Sequence, residues 1–308
     1  MAVQLLVLEQ ALNGLQFGIM LFLMAAGLTL IFGIMNLINL AHGSLYMIGA
    51  YVCAATFQAT HSFLAALAAA LAVALAVGVL IEVVVFRRLY RRDHLDQVLA
   101  TFGLILFFNE MVRVIWGPTA LYAGVPRFLA GHVELLPGVP YPAYRLAIIV
   151  VGLAVALLLY LLVSRTRLGM LIRAGASNRT MVGALGVNIT LLYTIVFGLG
   201  AMLAALSGLM AGPIFTVESG MGESVLIPAF VVIVIGGIGS IRGAFVAALM
   251  VGFVDTMGRA FLRPLLSIVM TPSAADSAGP ALASMLIYML MAMVLFFRPQ
   301  GLFPPRVR

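Results

Sequence analysis

The chain has 308 residues, 64% hydrophobic and 9% charged, with a formal net charge of +7. Soluble domains run at about 45–50% apolar and about 25% charged, so this composition excludes an ordinary water-facing surface and predicts an all-α polytopic integral membrane protein. All 17 basic residues are Arg, which removes the lysine of a Walker A phosphate loop, a Schiff base or a lysine general base; one Cys (Cys53) and four scattered His (His42, His61, His94, His132) leave no basis for a disulfide or a metal centre.

A bilayer core about 30 Å thick takes about 20 apolar residues of helix, and runs of that size recur along the chain. The leader, about residues 1–11, carries Glu9 and no Arg. It lacks the basic start of a signal peptide and is read as an external part of the mature protein. The first apolar run covers residues 12–35.

It merges into GLTLIFGIMNLINLAHGSLYMIGAY (27–51), where Asn36, Asn39 and His42 recur at i, i+3 and i+6, with Ser44 beside them. If helical, these side chains share one flank, and Gly33, Gly43 and Gly49 permit a break or a close helix contact. Amides at membrane depth need partners or a watery path, so Asn36, Asn39, His42 and Ser44 are candidate path residues; a helix end at the interface, capped by Asn and His, explains the pattern equally well.

Residues 45–57 form a short, irregular apolar stretch, 63–81 is wholly apolar, and an Arg-rich loop, FRRLYRRDHLD, follows. Another run spans 97–116. The loop 117–144 contains Pro118, Pro126, Pro137, Pro140 and Pro142 and reads as a rigid, irregular external cover rather than a folded domain. Residues 146–163 are wholly apolar.

A second Arg-rich loop occupies about 164–188. Within it Ser177 or Asn178 is a possible N-cap, followed by about two helical turns and a stop at Gly186. Met181, Val182 and Leu185 are expected on one face, with Arg173 and Arg179 solvated. Such a helix suits a groove on a soluble partner, or lies on anionic lipid.

Beyond it, the run 191–212 carries Gly200, Ala204, Gly208 and Gly212 at every fourth position, a stripe for close helix packing. A second Gly-interrupted segment, AFVVIVIGGIGSIRGAFVAALMVG (229–252), has Gly236, Gly237, Gly239 and Gly243 within eight residues and Arg242 at the break. Interrupted segments in both halves are the pattern of a transporter built from two repeats, and tight helix crossings use glycine in the same way. Runs at 243–262 and 280–297 complete eight or nine crossings, the uncertainty lying in 45–57 and 225–240.

Twelve of the 17 Arg lie at 87–96, 164–188, 242 and the C-terminal tail. Positive residues are retained inside, so these segments are expected to be cytoplasmic, with the C-terminus inside and the N-terminus outside. No cytoplasmic segment approaches the hundred or so residues of a nucleotide-binding domain. Energy for uphill transport must therefore come from another chain or an ion gradient. Within the spans, Glu82 stands near Arg87, Glu110 near Arg113 and Asp255 near Arg259, each acid within reach of an intrahelical cation. Asp255 is the deepest of them and is the candidate for ion coupling.

The 27–51 segment, the loop RAGASNRTMVGALGVN and VVIVIGGIGSIRGAFVAALMVG closely resemble the LivH-type permease of bacterial branched-chain amino-acid ABC importers, over almost the whole chain. Urea and amide permeases share these segments. The resemblance implies a single transmembrane permease domain in the inner membrane, paired with a homologous LivM-like permease. It implies two ABC ATPase subunits beneath and a periplasmic substrate-binding protein outside, with no catalytic residue, cofactor, metal or nucleic acid. By the same resemblance Arg173, Ser177, Asn178, Arg179, Met181, Val182, Leu185 and Gly186 belong to the helix that couples to the ATPases, with Thr180 and Val182 as departures from the family pattern. Asn36, Asn39, His42, Ser44, Gly236, Gly237 and Gly239 are the expected path. The alternatives are the same importer class acting on urea, amides or small amino-acid-like solutes, and an ion-coupled carrier.

Overall fold

The computed structural model describes residues 2–90, 92–136 and 139–303. Arg91, Pro137, Arg306 and Arg308 lie outside them. The chain is an all-α membrane protein built of α1 (Ala2–Met35), α2 (His42–Thr60), α3 (Phe63–Ile81), α4 (Arg87–Leu89), α5 (His94–Trp116), α6 (Ala143–Arg165), α7 (Arg167–Ala184), α8 (Ile189–Ala211), α9 (Met221–Gly236), α10 (Ile241–Leu266) and α11 (Pro272–Phe297). Seven of these, with α3 and α4 counted as one continuous rod, are long and apolar enough to cross a membrane. Of the three other long helices, α7 lies in the Arg-rich loop, and α2 and α9 are the stretches whose sequence is least regular. α2 carries polar residues, and α9 has only 16.

Residues 2–11 are not a separate leader. They form the first turns of α1, and the side chains of residues 4–11 are exposed or half-exposed. From Ile19 to Ile31 nearly every side chain of α1 is buried, because the helix is apolar on all sides and stands in the centre of the bundle. α10 and α8 flank it, α6 and α9 complete the ring around it, and α2 packs on α8, α3 and α9. Outward residues such as Leu99, Phe102, Leu106, Leu157, Met289 and Phe296 are exposed on α5, α6 and α11, as lipid-facing surfaces require.

Small residues set the crossings. The stripe on α8 serves two neighbours: Gly200 meets Gly27 and Ile31 of α1, while Gly208 sits on the Tyr46 carbonyl of α2. A Cβ on Gly43 would come 2.6 Å from the Gly222 carbonyl oxygen, so α2 and α9 touch backbone to backbone at their first turns.

α3 does not stop at Ile81. It passes through a π turn (Glu82–Phe86) into α4, and the π turn turns the buried Glu82 carboxylate inward. Glu82 accepts from the Arg87 Nε at 3.2 Å, from the Tyr90 hydroxyl at 2.7 Å and from the Thr194 hydroxyl of α8 at 2.7 Å. The proline-rich loop after α5 is mostly irregular, as expected, but carries a short antiparallel hairpin, β1 (His132–Leu136) with β2 (Val139–Pro142). With only two strands, Pro140 and Pro142 can direct their missing N–H positions away from the ladder.

Candidate functional site

Two backbone breaks organise the site. The first separates α1 from α2. Asn36 adopts φ 51°, residues 36–39 are non-helical, and α2 restarts at His42. Asn36, Asn39 and His42 therefore do not share a helical flank: Asn36 is exposed, whereas Asn39, His42 and Ser44 are buried. Four residues in irregular backbone rotate the three side chains apart. His42 fills the α1–α8 crossing, where its Nε2 lies 2.8 Å from the position of a Cβ on Gly27. The polar atoms of Asn39 and the ring nitrogens of His42, with the Thr29 hydroxyl, have no hydrogen-bond partner among the described residues. Buried groups of this kind are uncommon in protein interiors and concentrate at places with a role beyond packing.

The second break joins α9 to α10. Gly237 (φ 98°) and Gly239 (φ 84°) hold left-handed conformations that only glycine adopts without strain, and the Ser240 hydroxyl caps α10 by accepting from the Gly243 N–H at 3.1 Å. Gly236 and Gly243 pack so closely that a Cβ on either would overlap the other's backbone. The C-terminal segment braces this turn. Leu302 and Phe303 donate their N–H groups to the Ile235 and Gly236 carbonyls at 2.8 and 3.0 Å, completing hydrogen bonds that the end of α9 leaves open.

The two breaks meet. Gly33 at the end of α1 faces Gly239, with 3.4 Å between the Cα of Gly239 and a Cβ placed on Gly33. Beside them opens a cavity of about 990 Å³ between α1, α6, the first half of α7 and the start of α10. Its wall is largely apolar, with Thr29, Asn36, Ser240, Arg173 and Arg242 as polar points, and the Arg242 guanidinium lies 5.1 Å from the Tyr160 ring centroid. Of the seven residues expected along a path, Asn36 and Gly239 line this cavity; Asn39, His42, Ser44, Gly236 and Gly237 are packed behind it. Ile34, Tyr160 and Phe245 also line it and carried no sequence signal, since only the fold turns them to a common space.

The Arg-rich loop 164–188 is more helical than its sequence suggests. α7 starts at a Thr166 cap, whose hydroxyl accepts from the Gly169 N–H at 3.1 Å. Asn178 breaks it (φ −153°, ψ 90°), and the Asn178 side chain then caps a second short helix by accepting from the Met181 N–H at 2.9 Å. Gly186 ends that helix with φ 86°, and the Val187 N–H reaches back to the Val182 carbonyl at 3.3 Å. The expected common face of Met181, Val182 and Leu185 is split. Val182 is buried, whereas Met181 and Leu185 are exposed at 59% and 77%, a turn apart on an outer surface with Arg179 also exposed. One residue of an apolar triplet anchors the helix, and two remain bare. Ser177 and Arg173, on the other side of the break, line the cavity mouth, so the short helix and the cavity share one element.

The intrahelical acids are tied up. Asp255 holds Arg259 through two hydrogen bonds at 2.8 and 3.0 Å, and Glu110 pairs with Arg113 at 2.9 Å. Arg263 pairs with Asp276 across α10 and α11. Among the described residues, no group of three or more His, Cys, Asp or Glu could hold a metal ion.

A family model described as "branched-chain amino acid transport system / permease component" matches residues 10–295. The high-affinity branched-chain amino acid transport system permease protein BraD of Pseudomonas aeruginosa is 32% identical over 309 residues, covering 96% of this chain and 95% of BraD. Escherichia coli K12 LivH is 29% identical over 270 residues, covering 83% of this chain and 87% of LivH. A probable LivH of Methanocaldococcus jannaschii is 23% identical over 77% of this chain and 76% of its own length. No solved structure matches the chain.

Proposed function

The chain belongs to the permease components of branched-chain amino acid transport systems, and from that membership we propose that it is the membrane-spanning subunit of an ABC importer moving branched-chain amino acids across a bacterial inner membrane. ATP is hydrolysed by two separate ATPase subunits, a periplasmic binding protein delivers the solute, and a homologous LivM-like permease supplies the other wall of the path. With α2 and α9 counted, nine helices cross, which puts the termini on opposite faces. The N-terminus is outside. The Arg-rich turns after α3 and α6, Arg242 and the C-terminal strap are all inside.

The observation that carries this reading is the meeting of both backbone breaks at one cavity of about 990 Å³, within the size range of small-molecule sites. Irregular backbone at membrane depth is tolerated where it is buried in protein or lines a polar space, and discontinuous helices flanking a shared cavity are the arrangement expected of transporters. In this orientation the cavity opens inward, and Arg173 and Arg242 at its mouth attract the carboxylate of a departing amino acid. The helix from Asn178 to Gly186 presents Met181 and Leu185 to an ATPase groove. ATP-driven closure pulls on that helix, and the pull reaches the cavity wall through Ser177 and Arg173 on the same element. The bidentate Asp255–Arg259 pair leaves no free acid at that position for proton coupling, which weighs against an ion-driven carrier.

The test is reconstitution of the purified complex, with its ATPases, second permease and binding protein, in proteoliposomes loaded with ATP. Radiolabelled leucine should accumulate and be competed out by isoleucine and valine. Accumulation of urea without leucine would contradict the assigned solute.

A further inference from the structure

A second cavity lies at the other end of α1 and enters none of the steps above. It measures about 360 Å³ and is lined by α1, α2, α8, the α8–α9 connection and the first turn of α9. Adjacent residues of α1 face the two spaces: Leu21 lines this one and Phe22 the larger. Three features make it a recognition site rather than a packing defect. Tyr46 lines it while only 1% exposed. Glu218, an exposed residue, lines it too and forms no ion pair among the described residues, whose pairs use Glu82, Glu110, Asp255 and Asp276. The N-terminus of the 16-residue α9, starting from Gly220 (φ 92°), forms part of the wall through Met221 and Ser224 and carries the positive end of the helix dipole. The remaining wall is mostly apolar, with Phe17, Leu21 and Phe215, and also includes Ser207 and Thr216.

We propose that this cavity is a subsite for a zwitterion with an aliphatic tail: the ammonium group on Glu218, the carboxylate on the Tyr46 hydroxyl and the first turn of α9, and the alkyl chain among Phe17, Leu21 and Phe215. The solute class rests on the functional reading above. Glu223, on the same first turn, accepts from Asn109 at 2.7 Å through Oε1, its Oε2 has no hydrogen-bond partner among the described residues, and it does not line the cavity. An amino acid would then occupy the two spaces in turn, with α1 lining both.

The experiment uses the complete importer in detergent, with Thr216→Cys on the exposed rim as a reporter; the native Cys53 is buried and reacts slowly. The alkylation rate of the introduced thiol is followed with leucine, with 4-methylpentanoate, which lacks the ammonium, and with 3-methylbutylamine, which lacks the carboxylate. Leucine should slow alkylation saturably, and each truncated analogue should need about tenfold or more higher concentration, the loss expected for one hydrogen bond to a charged group. Glu218→Gln should abolish protection and Glu218→Asp should retain part of it, which separates charge recognition from misfolding; Tyr46→Phe should raise the half-protecting concentration. Equal protection by leucine and 4-methylpentanoate, or unchanged protection in Glu218→Gln, overturns the subsite. If the wild-type complex imports leucine yet leucine gives no protection, the subsite alone is wrong; if it imports no leucine, the functional reading fails first.

Discussion

Single residues decide the crossings in this bundle, because several helix pairs approach with no room for a Cβ. Gly222 packs against the Gly43 backbone, so Gly222→Leu must push α2 from α9. Overpacking of this kind costs about 1–3 kcal/mol or more, and the purified protein should unfold at a clearly lower temperature. Gly103 on α5 is the control. Nothing lies within 4 Å of a Cβ there, so Gly103→Leu should leave the unfolding midpoint unchanged or raise it, by replacing a poor helix former on an open face. Glu82 poses a different test. Its buried carboxylate satisfies Arg87, Tyr90 and Thr194 at once, tying the π turn to the start of α8. Glu82→Ala leaves those donors unmatched and should destabilise by about 1–3 kcal/mol. Glu82→Gln keeps an acceptor and should cost less. Equal stability of wild type and Glu82→Ala in thermal unfolding would show that the tie contributes nothing.

At the scale of elements, apolar runs were legible in the sequence because membrane helices are defined by hydropathy. The run 63–81 is α3 to the residue, and the 97–116, 146–163 and 191–212 runs each fall within about three residues of a helix. Boundaries failed where polar residues are helical. The first half of α7, for instance, is an Arg-containing helix with no apolar period, started by the unremarked Thr166 cap. The candidate path was only partly legible. Glycine and asparagine marked where the backbone breaks, but which side chains then face open space depends on irregular φ/ψ values that no periodicity encodes. Hence Asn36 reaches the cavity and Asn39 and His42, only a few residues on, do not.

The short helix after Asn178 supplies the prediction at this scale. Asn178→Ala removes its cap, worth about 1 kcal/mol, and should raise the ATP hydrolysed per leucine imported while the complex still assembles. Proline cannot adopt the φ of 86° that Gly186 holds, so Gly186→Pro should abolish uptake without preventing membrane insertion. Unchanged uptake in Gly186→Pro would remove this helix as the transmission element.

For the whole molecule, the division of labour follows from what the chain contains. It has a central post, α1, two cavities that α1 lines, and two helix breaks that converge on the larger cavity. The described structure contains no folded domain outside the membrane bundle, and its Arg-rich turns are short. On the proposed function, such a molecule changes which cavity is open while separate ATPase subunits supply the energy. The most direct measurement is leucine accumulation in liposomes containing this chain and its permease partner, with and without the ATPase subunits. Concentrative uptake should require ATPases, ATP and binding protein together, and should persist when an uncoupler collapses the proton gradient. Uphill accumulation by the permeases alone, lost on adding the uncoupler, would contradict the account.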